Sequence, residues 1–118
     1  MICFTDRNLG HLLPIAMSLL GLQIELHDSH FTQSTPDDEW IPFVGRRGWR
    51  VLTQDPRFLA NESEKQAVID HAVGCFVLVA DQMNRWDKLR LIAKTWDQIE
   101  AIAAAEPVPF VYRVSRTG

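Results

Sequence analysis

Carboxylates stand at three places in this chain where a hydrophobic core has no use for them. Asp6 follows the first apolar run, Asp37, Asp38 and Glu39 follow a polar stretch, and Asp55 closes the run Val51-Leu52-Thr53-Gln54-Asp55. Acids brought within a few ångström repel one another unless a cation or a shared proton offsets the charge. Mg²⁺ and Mn²⁺ are hard cations held by one or two carboxylates together with water and substrate phosphates. Such an ion can activate water and stabilise charge in phosphodiester cleavage. The competing reading is structural. Asp6 and Asp55 would end strands in turns, and Asp37, Asp38 and Glu39 would complement the positive end of a helix dipole. Arg46, Arg47, Arg50 and Arg57 flank the acidic stretch and offer either phosphate contacts or a solvated face.

Other chemistry-bearing residues carry weaker signals. His27-Asp28-Ser29-His30 lacks cysteines or a clear third ligand, so it reads as a polar loop rather than a transition-metal site. His11 and His71 fall on helices, as surface or satisfied core residues. Trp40, Trp49, Trp86 and Trp96 read as core and helix–sheet packing. Arg85, Lys88, Arg90 and Lys94 read as the solvated side of an amphipathic helix. The chain has no Gly-rich phosphate loop, nucleophile elbow or zinc-ligand spacing.

The elements that must position the acids follow from local pattern. Residues 1–5 form a short apolar run ending at Asp6, read as a buried first strand. Apolar residues at helical spacing predict a helix over 9–20, stopped at Gly21, with Pro14 tolerated near its start. Residues 22–27 alternate and predict a second strand. Thr35 as cap, Pro36 in the first helical position and the three acids then signal a second helix, with Pro42 predicted to kink it or limit it to a turn or two. Residues 49–53 predict the third strand, 61–73 a helix opened by Asn61, 75–80 a fully apolar fourth strand. A long helix follows from Asn84, with Trp86, Leu89, Ile92, Ala93, Trp96, Ile99 and Ile102 expected on its buried face. Residues 110–114 complete the series as a fifth strand, and the last few residues are expected to fray.

This alternation predicts an α/β three-layer sandwich around a mainly parallel five-stranded sheet, with order 2-1-3-4-5. In that order the switch point lies between strands 1 and 3, so Asp6 and Asp55 would face one crevice beyond the strand ends. At 118 residues the chain is expected to form a single domain, residues 1–118. A net charge of -3 argues against a generally basic nucleic-acid-binding surface. Cys3 and Cys75 both lie in apolar runs, as buried thiols suited to a reducing cytoplasm. No run approaches the roughly 20 apolar residues a membrane helix needs, and no signal peptide is indicated. The expected location is cytoplasmic.

At Phe4-Thr5-Asp6-Arg7-Asn8-Leu9, Asp37-Asp38-Glu39-Trp40 and Val51-Leu52-Thr53-Gln54-Asp55 the chain resembles the PIN-domain superfamily, in particular short PIN-like proteins related to VapC-type toxins. The resemblance implies a Mg²⁺- or Mn²⁺-dependent endoribonuclease held inactive by a cognate antitoxin, often as a homodimer. Asp6, Asp37 and Asp55 would match the family's metal-binding, catalytic acids, and Thr53 its supporting hydroxyl. Arg7, Arg46 and Arg57 would orient the RNA backbone. The family commonly places a further acid on an early helix. The first helix here has none, so Asp38, Glu39 or Glu64 would have to stand in. Two alternatives remain: a non-catalytic PIN-like binding module, and a phosphoacceptor receiver domain in which Asp55 takes the phosphoryl group. Receivers normally carry a second acid beside the first and a Lys past strand 5, where this chain has Arg7 and Ser115-Arg116.

Overall fold

A computed structural model describes residues 1–116; the expected fraying of the last few residues falls partly on Thr117 and Gly118, outside the described residues. The strands are β1 (Cys3–Thr5), β2 (Ile24–Leu26), β3 (Arg50–Thr53), β4 (Gly74–Leu78) and β5 (Phe110–Val114). They form one sheet of order β2-β1-β3-β4-β5 with every neighbouring pair parallel. The expected strand order and α/β class are both found. Among the described residues four α-helices connect the strands: α1 (Leu12–Leu19), α2 (Asp37–Arg47), α3 (Glu62–Asp70) and α4 (Arg85–Ala105).

Side-chain alternation along the strands builds two cores, one on each face of the sheet. Cys3, Leu52, Phe76 and Leu78 pack under α1 and α4 with Leu13, Met17, Ile92, Trp96 and Ile99. Phe4, Val51, Cys75 and Val77 pack under α2 and α3 with Trp40, Ile41, Val44 and Val68. The strands are short and mostly buried, the pattern of a parallel sheet covered on both faces.

Several helices depart from the sequence expectation. A 3-10 turn over Arg7–Leu9 and Gly10 at φ +70° precede α1, which therefore starts at Leu12. Asp6 Oδ1 caps that turn, accepting from Arg7 N at 2.7 Å. In α2, Pro36 is the flanking residue rather than the first helical one, so Thr35 is not the cap, and among the described residues no side-chain hydrogen bond caps the start. Pro42 does not cut α2 short: the helix runs 11 residues through it. An interior proline costs about 3 kcal/mol, whereas burying the side chains of Trp40, Ile41 and Val44 contributes about 1.5–3 kcal/mol each, so packing wins. The buried face of α4 is Leu91, Ile92, Thr95, Trp96, Ile99 and Ala103, rotated from the expected stripe. Trp86 is 65% exposed. Thr95 enters the apolar face by donating its hydroxyl to Leu91 O at 2.7 Å. Among the described residues no helix is long and apolar enough to cross a membrane.

Candidate active site

Parallel register sets the framework of the site. Thr5 pairs with Leu26 on one side and Leu52 on the other, so Asp6, His27 and Thr53 come level at the carboxyl edge of the sheet. Asp6 is 4% exposed and Thr53 fully buried. Thr53 Oγ1 donates to Asp6 Oδ2 at 2.9 Å and accepts from Asp55 N at 3.2 Å. The hydroxyl thus ties the end of β1 to the turn after β3. Asp55 Oδ1 in turn accepts from Arg57 N at 2.9 Å, which fixes its carboxylate in an Asx turn.

Asp37 enters from the first turn of α2. The indole N–H of Trp40 donates to its Oδ1 at 2.9 Å, so this buried tryptophan orients the acid one helical turn before it. Glu64 enters from α3 and its carboxyl lies within hydrogen-bonding reach of that of Asp37. In a capping box the acid at this position would bond back to the N–H of the capping residue. Glu64 Oε2 instead accepts from Leu59 N at 3.1 Å. Leu59 sits at φ +68°, a left-handed conformation that non-glycine residues adopt at a cost. Asn61 caps α3 by itself, accepting from Ser63 N and Glu64 N.

The electrostatics follow from this crowding. Burial, and then the nearby Asp37, raise the Asp6 carboxyl above its ordinary value, against the lowering bond from Thr53. Burial also raises Glu64, with Asp37 and Asp55 adding like charge. Asp6, Asp37, Asp55 and Glu64 therefore share one field, and a cation would relieve it. Among the described residues no three His, Cys, Asp or Glu side chains converge into a closed ion cage. Hydrated Mg²⁺ does not require one, since one or two carboxylates plus water and substrate phosphates suffice. The Asp37–Glu64 pair fits that demand: these two carboxylates, completed by water, would hold the ion, with Asp6 and Asp55 adding negative charge beside them.

The remaining candidates divide by position. Arg57 is at the site, its Nε 4.0 Å from Asp55 Oδ1. Arg7 is close by, but its Nη1 donates to the carbonyls of Gln33 and Thr35 and pins the loop that leads into α2. Arg46 and Arg47 end α2 at the opposite edge of the sheet, where Arg47 lies 3.5 Å over the Phe43 ring. Arg50 is also at that edge, donating to Ala103 O at 3.1 Å. The arginines therefore do not gather around the acids as their sequence proximity implies. Asp38 lines an outer hollow between α2 and α3 with Gln66 and His71, and Glu39 is exposed. Of the three possible stand-ins for a further acid, the fold brings Glu64 to the others.

Pattern reading missed three neighbours. His27, read both as the end of the second strand and as part of a polar loop, opens a 3-10 turn over His27–Ser29 just past β2; it is 1% exposed and packs against Phe4, Phe31 and Trp40. Its Nδ1 lies 3.3 Å from Asp28 Oδ1, and among the described residues its Nε2 has no hydrogen-bond partner. Asn8 Oδ1 faces the Thr53 hydroxyl at 3.2 Å, and its carbonyl accepts from Gln54 Nε2 at 2.7 Å. No local signal marks these residues, because parallel pairing alone brings them together.

A five-stranded parallel α/β sandwich is consistent with a PIN-like domain. The sequence model of the PIN-like domain family matches residues 1–80, and the chain belongs to that family. The matched stretch contains Asp6, Asp37, Asp55 and Glu64, whereas α4 and β5 lie beyond it. No curated protein and no solved structure matches the chain. Strand order alone would also allow a phosphoacceptor receiver; family membership decides against that alternative.

Proposed function

We propose that this protein is a metal-dependent endoribonuclease, with Asp6, Asp37, Asp55 and Glu64 as its acidic centre. The observation that carries the reading is the apposition of the Asp37 and Glu64 carboxyls beside Asp6 and Asp55 at the switch point. PIN-like domains are often nucleases, and the fold is of that type. A Mg²⁺ or Mn²⁺ ion bound there would supply Lewis-acid stabilisation of the phosphodiester and an activated water. The chain's own parts orient that centre. Thr53 holds Asp6, Trp40 holds Asp37, Leu59 N–H holds Glu64, and Arg57 offers its guanidinium to a phosphate next to Asp55. The resemblance to VapC-type toxins extends the proposal to a cytoplasmic toxin that a cognate antitoxin silences and that forms a homodimer.

The test is Mn²⁺ titration by calorimetry, with cleavage of a labelled RNA in parallel, on wild type and on the Asp6→Asn, Asp37→Asn, Asp55→Asn triple variant. Metal binding and cleavage that are both lost in the variant support the assignment. Cleavage that survives in the triple variant overturns it. RNA binding without metal binding or cleavage in the wild type identifies a non-catalytic PIN-like module instead.

A further inference from the structure

We infer that the first half of α4, together with the end of β5, forms a binding track for single-stranded RNA, apart from the acidic centre. The inference rests on the ribonuclease reading for its substrate class but not on catalysis. A cleft of about 600 Å³ is lined by Asp87, Arg90, Leu91, Ala93, Lys94 and Arg116. That is the volume of an ordinary small-ligand site. Its rim carries three cations against one acid, in a chain whose net charge is -3. Arg90, Lys94 and Arg116 are exposed, and among the described residues none takes part in an ion pair. Unpaired cations concentrated on an otherwise acidic protein complement a polyanion.

Two further observations select single-stranded nucleic acid. Trp86 lies one helical turn before Arg90 and two before Lys94, so the three share a ridge of α4, and its ring is 65% exposed. An exposed aromatic beside a cationic groove is the combination on which unpaired bases stack while the backbone is neutralised. The position also fits. β5 runs parallel to β4, so Arg116 emerges at the same carboxyl edge as the acids. It lines both this cleft and a smaller hollow of about 250 Å³ with Val79, Asp81 and Met83 at the end of β4. From the end of β3 to the end of β5 is two strand spacings, about 10 Å, so a strand held on α4 can lead along the edge toward Asp55.

The test is fluorescence anisotropy of a labelled single-stranded RNA of about twelve nucleotides, titrated with protein in EDTA at several salt concentrations. EDTA removes cleavage, so failure of the nuclease reading leaves this measurement intact. Each phosphate contact on a single strand adds about 0.7 to the salt slope of log K. The Arg90→Ala, Lys94→Ala, Arg116→Ala variant is therefore expected to lower the slope by about 2 and weaken binding. Trp86→Ala is expected to lose about tenfold in affinity with an unchanged slope. The control Arg46→Ala, Arg47→Ala removes charge at the opposite edge and is expected to change neither. Unchanged affinity and slope in the triple variant overturn the proposal. So does wild-type protein that binds anionic phospholipid vesicles but not the RNA.

Discussion

Replacing Glu64 with Gln is expected to stabilise the metal-free protein at neutral pH while removing its response to Mn²⁺. The amide keeps an oxygen for Leu59 N–H and can donate to Asp37, so it retains the local hydrogen bonds without the second negative charge. Two unit charges 4 Å apart at an effective dielectric of 20 repel by about 4 kcal/mol. Glu64 is partly exposed and holds its proton above the usual pH, and both effects shrink the repulsion left to relieve. A gain of about 1–2 kcal/mol, or about 4–8 °C in Tm for a domain near this size, is expected. The pH dependence has a definite sign. Asp6 and Glu64 titrate above their ordinary values of 3.8 and 4.5, so over that window the folded chain binds more protons than the unfolded one. Stability is highest at the acid end of the window and falls as pH rises through the folded values. Glu64→Gln removes the Glu64 share of that fall and leaves that of Asp6. Mn²⁺ at a hundredfold excess over Kd adds about 2.7 kcal/mol to a form that binds it, and this addition is expected for wild type alone. Thermal melts followed by circular dichroism from about pH 5 to 8, in EDTA and in Mn²⁺, measure all of these quantities. A variant that melts below wild type in EDTA at neutral pH, or keeps the full pH slope, refutes the carboxyl pairing.

Thr53→Val keeps the side-chain shape but removes the bond to buried Asp6; since hydrogen bonds to charged groups contribute about 1.5–3 kcal/mol, chemical denaturation should register a loss of about 2 kcal/mol. Gly45→Ala would normally gain about 1 kcal/mol in a helix, but its Cβ would lie 2.5 Å from the backbone oxygen of His71. Overpacking of that kind costs about 1–3 kcal/mol, and a net destabilisation is expected in the same assay. Burial pushes the Cys3 and Cys75 thiols up to about 12 each, so neither should react with a thiol reagent at pH 8 until the chain is unfolded, which mass spectrometry before and after denaturant can score.

The sequence by itself determined the alternation of strands and helices, the parallel sheet and the placing of Asp6 and Asp55 at its switch point. These follow from local causes: apolar runs of strand length, apolar residues at helical spacing, and punctuation by Gly21. Asp37 at a helix start was legible for the same reason. Tertiary structure decided which neighbours those acids acquired. Glu64 reads in sequence as a helix-start acid, and only the packing of α3 against α2 turns it toward Asp37. His27 stands in sequence where a strand gives way to a polar loop, and only pairing of β2 with β1 buries it beside Asp6. Arg46 stands near the acids in sequence, yet the length of α2 carries it to the far edge. Trp86 looks like a core residue, but the apolar face of α4 turns it to solvent. Periodicity tells that a helix has an apolar side, whereas the crossover and the sheet it covers set how that side is rotated and what its ends meet. The proposed acidic centre is built at those ends.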